Sequence, residues 1–160
     1  MKQKGIFRAF AFAMAIAMIA VCFASCEKKQ QRPEFVPPPF DSGAVVGSPD
    51  AEVLADKGYE ELDAQAYKLW VCGKIVLDGN KADLYFTNPE TNNVWLKLRI
   101  LDTNGNKLGE TGIVRPGEYV QTITFDVVPK VGDSITIKIM GYEPDTYYSA
   151  GSVNLNTAVY

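Results

Sequence analysis

The chain has 160 residues, 47% hydrophobic and 22% charged, with 16 basic and 19 acidic side chains and no histidine. That is the composition of a folded protein with room for one domain, not of a disordered chain. A net charge of −3 makes it a poor nucleic-acid binder, and the lack of histidine excludes His-based triads and His-ligated zinc sites.

The N-terminus is set apart from the rest. Lys2, Lys4 and Arg8 form a basic start, residues 9–25 carry no charge, and residues 27–32 are all polar. A basic start, an apolar run and small residues before a cut describe a secretory signal. A spanning helix needs about 20 apolar residues, and this Ala-rich run is shorter, so a cleaved signal is favoured over a retained anchor helix. Phe23-Ala24-Ser25-Cys26 resembles a lipobox, the motif read by lipoprotein signal peptidase: an aliphatic residue, two small residues, then Cys. Ala24, Ser25 and Cys26 fit, and Phe23 stands where Leu is usual. The bulk of Phe23 also disfavours the ordinary cut after Ser25, and Ala20-Val21 makes Cys22 a poorer modification site. The resemblance implies a signal peptide over residues 1–25 and diacylglycerol on Cys26. The chain would then be held at the extracytoplasmic face of the cell membrane. Two acyl chains anchor stably, each buried CH₂ contributing about 0.8 kcal/mol. Cleavage would remove three basic residues and no acid, taking the net charge from −3 to −6. Lys28, Lys29 and Arg32 would meet anionic head groups. Only Cys72 would then keep a free thiol, so no internal disulfide is available.

Residues 26–57 read as a tether. Arg32 to Pro39 is Pro-rich and favours extended, semi-rigid geometry. Asp41-Ser42-Gly43 and Gly47-Ser48-Pro49-Asp50 are coil signals. Ala51 to Leu54 has the look of one helical turn capped by Asp50.

Residues 58–160 form a run of short strands. Leu69 to Leu77 can bury both faces, as a central strand does, with Cys72 as a small buried hydrophobe. Ala82, Leu84 and Phe86 alternate with Asp83 and Tyr85. Val94, Leu96, Leu98 and Ile100 alternate with Trp95, Lys97 and Arg99. Tyr119 to Phe125 turns Ile123 and Phe125 inward, Ile135, Ile137 and Ile139 repeat the period of two, and Val153 and Leu155 mark a closing strand. Asp78-Gly79 and Asn104-Gly105 read as type I′ hairpins, Arg115-Pro116-Gly117-Glu118 as a type II turn, and Pro129 to Asp133 as a further turn. This spacing predicts an all-β, antiparallel sandwich, with a small barrel as the alternative. Phe86-Thr87-Asn88-Pro89, the Val94–Ile100 strand and Gly112 to Tyr119 resemble Ig-like envelope domains. More narrowly, they are similar to small uncharacterised lipoproteins and surface proteins of Firmicutes. The resemblance implies an Ig-like β-sandwich and carries no catalytic residue across.

The candidate binding residues are aromatic. Trp95 and Tyr85 fall on the polar faces of their strands, and Tyr142, Tyr147 and Tyr148 cluster around Pro144. Exposed rings on a sheet stack on sugars or anchor a protein partner. The opposing reading covers this face with the second sheet, or with the segment from Gly58 to Tyr67. Asp102 to Asn106 has the oxygen-rich character of a calcium loop, but it lacks the closing acidic residue and falls where a hairpin turn is expected. Glu60, Glu61 and Asp63, like Glu143 and Asp145, read as solvated charge. No cofactor and no metal are expected. The leading functional expectation is a non-catalytic, membrane-anchored envelope module that binds an envelope protein or helps build a surface assembly. A carbohydrate- or cell-wall-binding module comes next, then a small inhibitor or immunity-type lipoprotein, with an enzyme last. Replacing Cys26 by Ala should move the protein from the membrane to the soluble fraction; a Cys26→Ala chain that stays in membranes would defeat the lipid-anchor reading.

Overall fold

Leu96, Leu98 and Ile100 are fully buried, while Trp95, Arg99 and Leu101 between and beyond them are half-buried. That alternation builds the strand Trp95–Leu101, and the same rule recurs in its neighbours. The structure is a computed structural model that describes residues 35–52 and 54–160. Cys26 and the lipobox-like segment lie outside the described residues. The strands in chain order are β1 (Ala44–Val46), β2 (Tyr59–Asp63), β3 (Lys68–Cys72), β4 (Leu77–Asp78), β5 (Lys81–Asn88), β6 (Trp95–Leu101), β7 (Lys107–Glu110), β8 (Glu118–Thr124), β9 (Ser134–Tyr142) and β10 (Ser149–Ala158).

They form two antiparallel sheets. One has the order β1-β8-β5-β3-β2, with β4 paired to β5, and the other is β10-β9-β6-β7. Leu69, Val71, Leu84, Phe86 and Ile123 from the first sheet meet Leu96, Leu98, Ile100, Ile137 and Ile139 from the second in one apolar cluster. Each such side chain contributes about 1.5–3 kcal/mol on burial. The molecule is an antiparallel β-sandwich, as the strand pattern predicts.

Three expectations need correction. First, the folded unit begins at Pro37, not at Gly58. The Ile113 N–H donates to the Pro39 carbonyl, Phe40 bridges Ile113, and β1 adds to the edge of β8. The Asp41 carboxylate accepts from the N–H groups of Gly43 (2.8 Å) and Gly112 (2.7 Å). Leu54 is buried beside a single 3₁₀ turn, Ala55–Lys57. Asp50 does accept from the Glu52 N–H, as a cap would (2.9 Å).

Second, Leu69 to Leu77 is not one strand. It breaks after Cys72, and Gly73 and Lys74 turn back to donate to the carbonyls of Gly58 and Lys57. Third, neither expected type I′ hairpin has that geometry. The β4–β5 turn centres on Gly79-Asn80 with positive φ only at Gly79, the type II′ pattern. Between β6 and β7 a three-residue loop closes on Gly105 at φ 83°, a type I turn followed by a glycine bulge. The type II turn at Arg115–Glu118 is present, with Gly117 at φ 77°.

Gly112 shows how tightly the first segment is held. A Cβ there would sit 2.5 Å from the Asp41 backbone nitrogen. Gly112→Ala should therefore cost about 1–3 kcal/mol and make the chain around Phe40 to Val46 sensitive to protease; unchanged stability and protection would show that this segment is not part of the folded unit.

Candidate interaction surface

Strand alternation turns Trp95, Lys97 and Arg99 to the outer face of the four-stranded sheet. Trp95 does not lie open there. Its ring meets Phe40 edge-on, with centroids 4.9 Å apart, and Tyr147 at 5.2 Å. The Arg115 guanidinium lies 3.6 Å from the centre of the Phe40 ring, a cation–π contact. Trp95 is thus covered from two sides, but by neither the second sheet nor the segment from Gly58 to Tyr67. Phe40 comes from the stretch expected to be tether, and Tyr147 from the β9–β10 connection.

The other candidate rings scatter. Tyr142 is the cross-strand partner of Trp95 and is half-buried, with its hydroxyl 3.7 Å from the Met140 sulfur. Tyr148 is largely exposed. Tyr85 belongs to the other sheet, at a bulge opposite Gln121 where its φ is 48°, and the Lys57 ammonium lies 5.1 Å from its ring centre. The structure therefore brings Trp95, Tyr142 and Tyr147 together and leaves Tyr85 on the opposite sheet. Phe40 and Arg115 complete the group and have no local sequence signal.

Beside the aromatic stack, Glu110 gathers three cations. It accepts from Arg99 (2.9 and 2.7 Å) and pairs with Lys97 (3.2 Å) and Lys107 (3.4 Å). Lys97 is itself buried. Burial pushes the Glu110 carboxyl up, but hydrogen bonds from Arg99 and Lys97, reinforced by their charges, outweigh it and bring the group down to about 2. On the other sheet Lys57 donates to Asp83 at 2.8 Å and holds that carboxyl below its ordinary value.

The remaining sequence candidates are structural. Asp102 accepts from the N–H groups of Asn104 and Asn106 and from the Asn106 side chain, so its oxygens are spent on the turn. Cys72 is fully buried, which pushes its thiol up to about 11. Glu60, Glu61 and Asp63 lie on β2, where Glu61 pairs with Lys68 at 2.8 Å. A half-open recess of about 460 Å³ beside the β4–β5 hairpin is lined by Lys57, Lys74, Lys81, Asp78 and Asp83 among others, with basic and acidic groups facing each other.

β10 has a different character. It is ten residues long and, among the described residues, ends its sheet and pairs only with β9. The Val159 N–H donates to Asp133 on the β9 side, and the Tyr160 N–H to Ile75 on the opposite side. Backbone groups alternate sides along an antiparallel strand. The N–H and C=O groups of Ser152, Asn154 and Asn156 therefore point away from β9. All three residues are exposed, and β10 carries no charge and no proline. Its inward residues Val153 and Leu155 are only half-buried. The signal in the sequence was Ser and Asn alternating with Val and Leu.

No protein-family model matches the chain, and no curated protein matches its sequence. Among solved structures it is similar to the crystal structure of CopC from Methylosinus trichosporium OB3b. The match has 18% sequence identity, covers 63% of this chain and 92% of that one, and has a TM-score of 0.35. A likeness this loose bears on no functional assignment; the sandwich rests on its own strand pairing and core.

Glu110 supplies a test of the charged cluster. Its folded pKa lies below the ordinary 4.5, so its contribution is complete above about 4.5 and is lost as pH falls toward about 2. That loss should amount to about 2–3 kcal/mol in denaturant unfolding of the wild type and should be absent from Glu110→Gln; the same acid slope in both proteins would place the loss elsewhere.

Proposed function

We propose that the protein is a non-catalytic envelope module, held at the membrane by lipid on Cys26, that binds a protein partner by accepting an added strand at β10. The observation that carries this reading is the bare β10 edge. Proteins that do not use such an edge guard it with charge, proline or brevity. The other edges are guarded. β1 has three residues, β2 carries Glu60, Glu61 and Asp63, and β7 has four residues, including Lys107 and Glu110. An added strand would bond to the backbone of Ser152, Asn154 and Asn156, and alternate apolar side chains on it would cover Val153 and Leu155. Main-chain bonds supply affinity in this mode, and the side chains facing Val153 and Leu155 supply selectivity.

The aromatic group supports a sugar platform less well. Stacking on a sugar needs an open ring face, and Phe40 and Tyr147 already take up the surroundings of Trp95. The lipobox-like Cys26, which precedes the folded unit in sequence, supports display outside the cytoplasm.

Asn154→Pro tests the β10 reading. The Asn154 N–H points away from β9, so proline there removes a bond to the partner and not a bond of the sandwich itself. Full-length wild type and Asn154→Pro, each purified from native membranes, should show the same circular dichroism. The partner that accompanies wild type should be depleted about tenfold, the loss of one backbone bond to a well-ordered strand; a folded variant that keeps its partner at wild-type level overturns the β10 reading.

A further inference from the structure

Among the described residues, β10 has one open window. At one end the bulge between Ser149 and Ser152 interrupts the strand. At the other, Ile75 bridges Val159 and accepts from the Tyr160 N–H (2.7 Å). Between these stoppers the free backbone groups are those of Ser152, Asn154 and Asn156, and Asn154 is the middle of the three.

We infer that the strand completing this edge is β10 of a second copy of the chain, an inference that rests on the reading of β10 as a binding edge. Antiparallel pairing about a two-fold axis at Asn154 sets Asn154 against itself and Ser152 against Asn156. Each of these residues then exchanges both of its backbone bonds with its opposite number. Cross-strand residues in such a pair share a face. Val153 therefore falls opposite Leu155 of the other copy on the core side, and Ser and Asn fall opposite one another on the outer side. Pairing about Asn154 thus satisfies the outward groups of Ser152, Asn154 and Asn156 together.

Charge favours this edge over the others. An acidic chain repels its own copies, and β2 edges joined the same way would set Glu60, Glu61 and Asp63 against their like. β10 brings no charge to the joint. The nearest charged residue on the same face is Lys138, the β9 partner of Asn154. The two copies of Lys138 would be separated by three strand spacings, about 14 Å, beyond the Debye length of ~8 Å at physiological salt. A joint between single strands is smaller than a standard stable interface. Confinement of both copies to one membrane would raise their effective concentration and favour it.

The test uses cysteines in the full chain, expressed in cells and oxidised before a non-reducing gel. Wild type gives the baseline for Cys22, Cys26 and Cys72. Facing residues of a hydrogen-bonded pair have Cα atoms about 5.5 Å apart, within the range that a disulfide spans. Asn154→Cys should give a product of twice the monomer mass. Asn156→Cys should give none, because it would lie about 14 Å from its own copy. Co-expressed Ser152→Cys and Asn156→Cys chains should restore the product, and this pair also serves if Asn154→Cys folds poorly. Dimer formed equally by all three positions overturns the register and the inference. If no dimer forms but a short photoreactive group on Asn154→Cys joins a protein of another mass, the second-copy inference fails and strand addition at β10 stands. If neither product forms, both fail.

Discussion

The side chain of Asn88 is fully buried where the chain leaves one sheet for the other. Its amide donates to the carbonyls of Val94 (2.9 Å) and Val114 (3.0 Å), and its side-chain oxygen accepts from Asn92 (2.7 Å). The Asn88 carbonyl also accepts the Gly117 N–H at the type II turn. One residue thus ties the end of β5, the start of β6 and the segment leading into β8. Leaving a buried carbonyl such as that of Val94 without its donor costs about 1–3 kcal/mol, whereas the Val114 carbonyl also accepts the Leu96 N–H. The crossing also sets the rotation of β6. With Val94 held from Asn88, and Leu96 exchanging both backbone bonds with Val114, Leu96 faces the core and Trp95 faces out.

Much of this architecture was legible from period-two alternation. β5, β6 and β9 each bury an apolar row at period two on one face, and alternation needs no knowledge of the partner strand. The segment from Pro37 to Leu54 was not legible. Its sequence is Pro-rich and short of alternation, and its order comes from Ile113, Gly112 and Val120, which lie far away in the chain. The two hairpins differ from the type I′ expectation for a related reason. Dipeptides such as Asp78-Gly79 report that a turn is near, but strand register decides which two residues occupy its centre.

The candidate residues divide along the same line. Alternation was enough to place Trp95 on the outer face. It carried no information about Phe40, whose position depends on a bridge to Ile113 and contacts with Trp95 and Arg115. Trp95 therefore serves as the middle ring of a stack that fastens the first segment and the β9–β10 connection to the sheet. Tyr85 was separated from it by the crossing at Asn88, which puts β5 and β6 in different layers. The β10 edge was visible as an uncharged Ser/Asn strand, yet its significance depends on its being last in its sheet, and sheet order is a global property.

That position also constrains how the protein can be assembled. β6 lies between β7 and β9, and β9 needs β10, while β1 must wait for β8. β1, β5 and β6 each bond to a strand made much later, so many contacts are non-local and folding of such topologies is slow. Until β10 is available, β9 stands as a bare edge with Ile135, Ile137 and Ile139 uncovered on one side. The growing chain thus carries a sticky intermediate, and the uncharged strand that ends this vulnerability is the one left open in the finished fold.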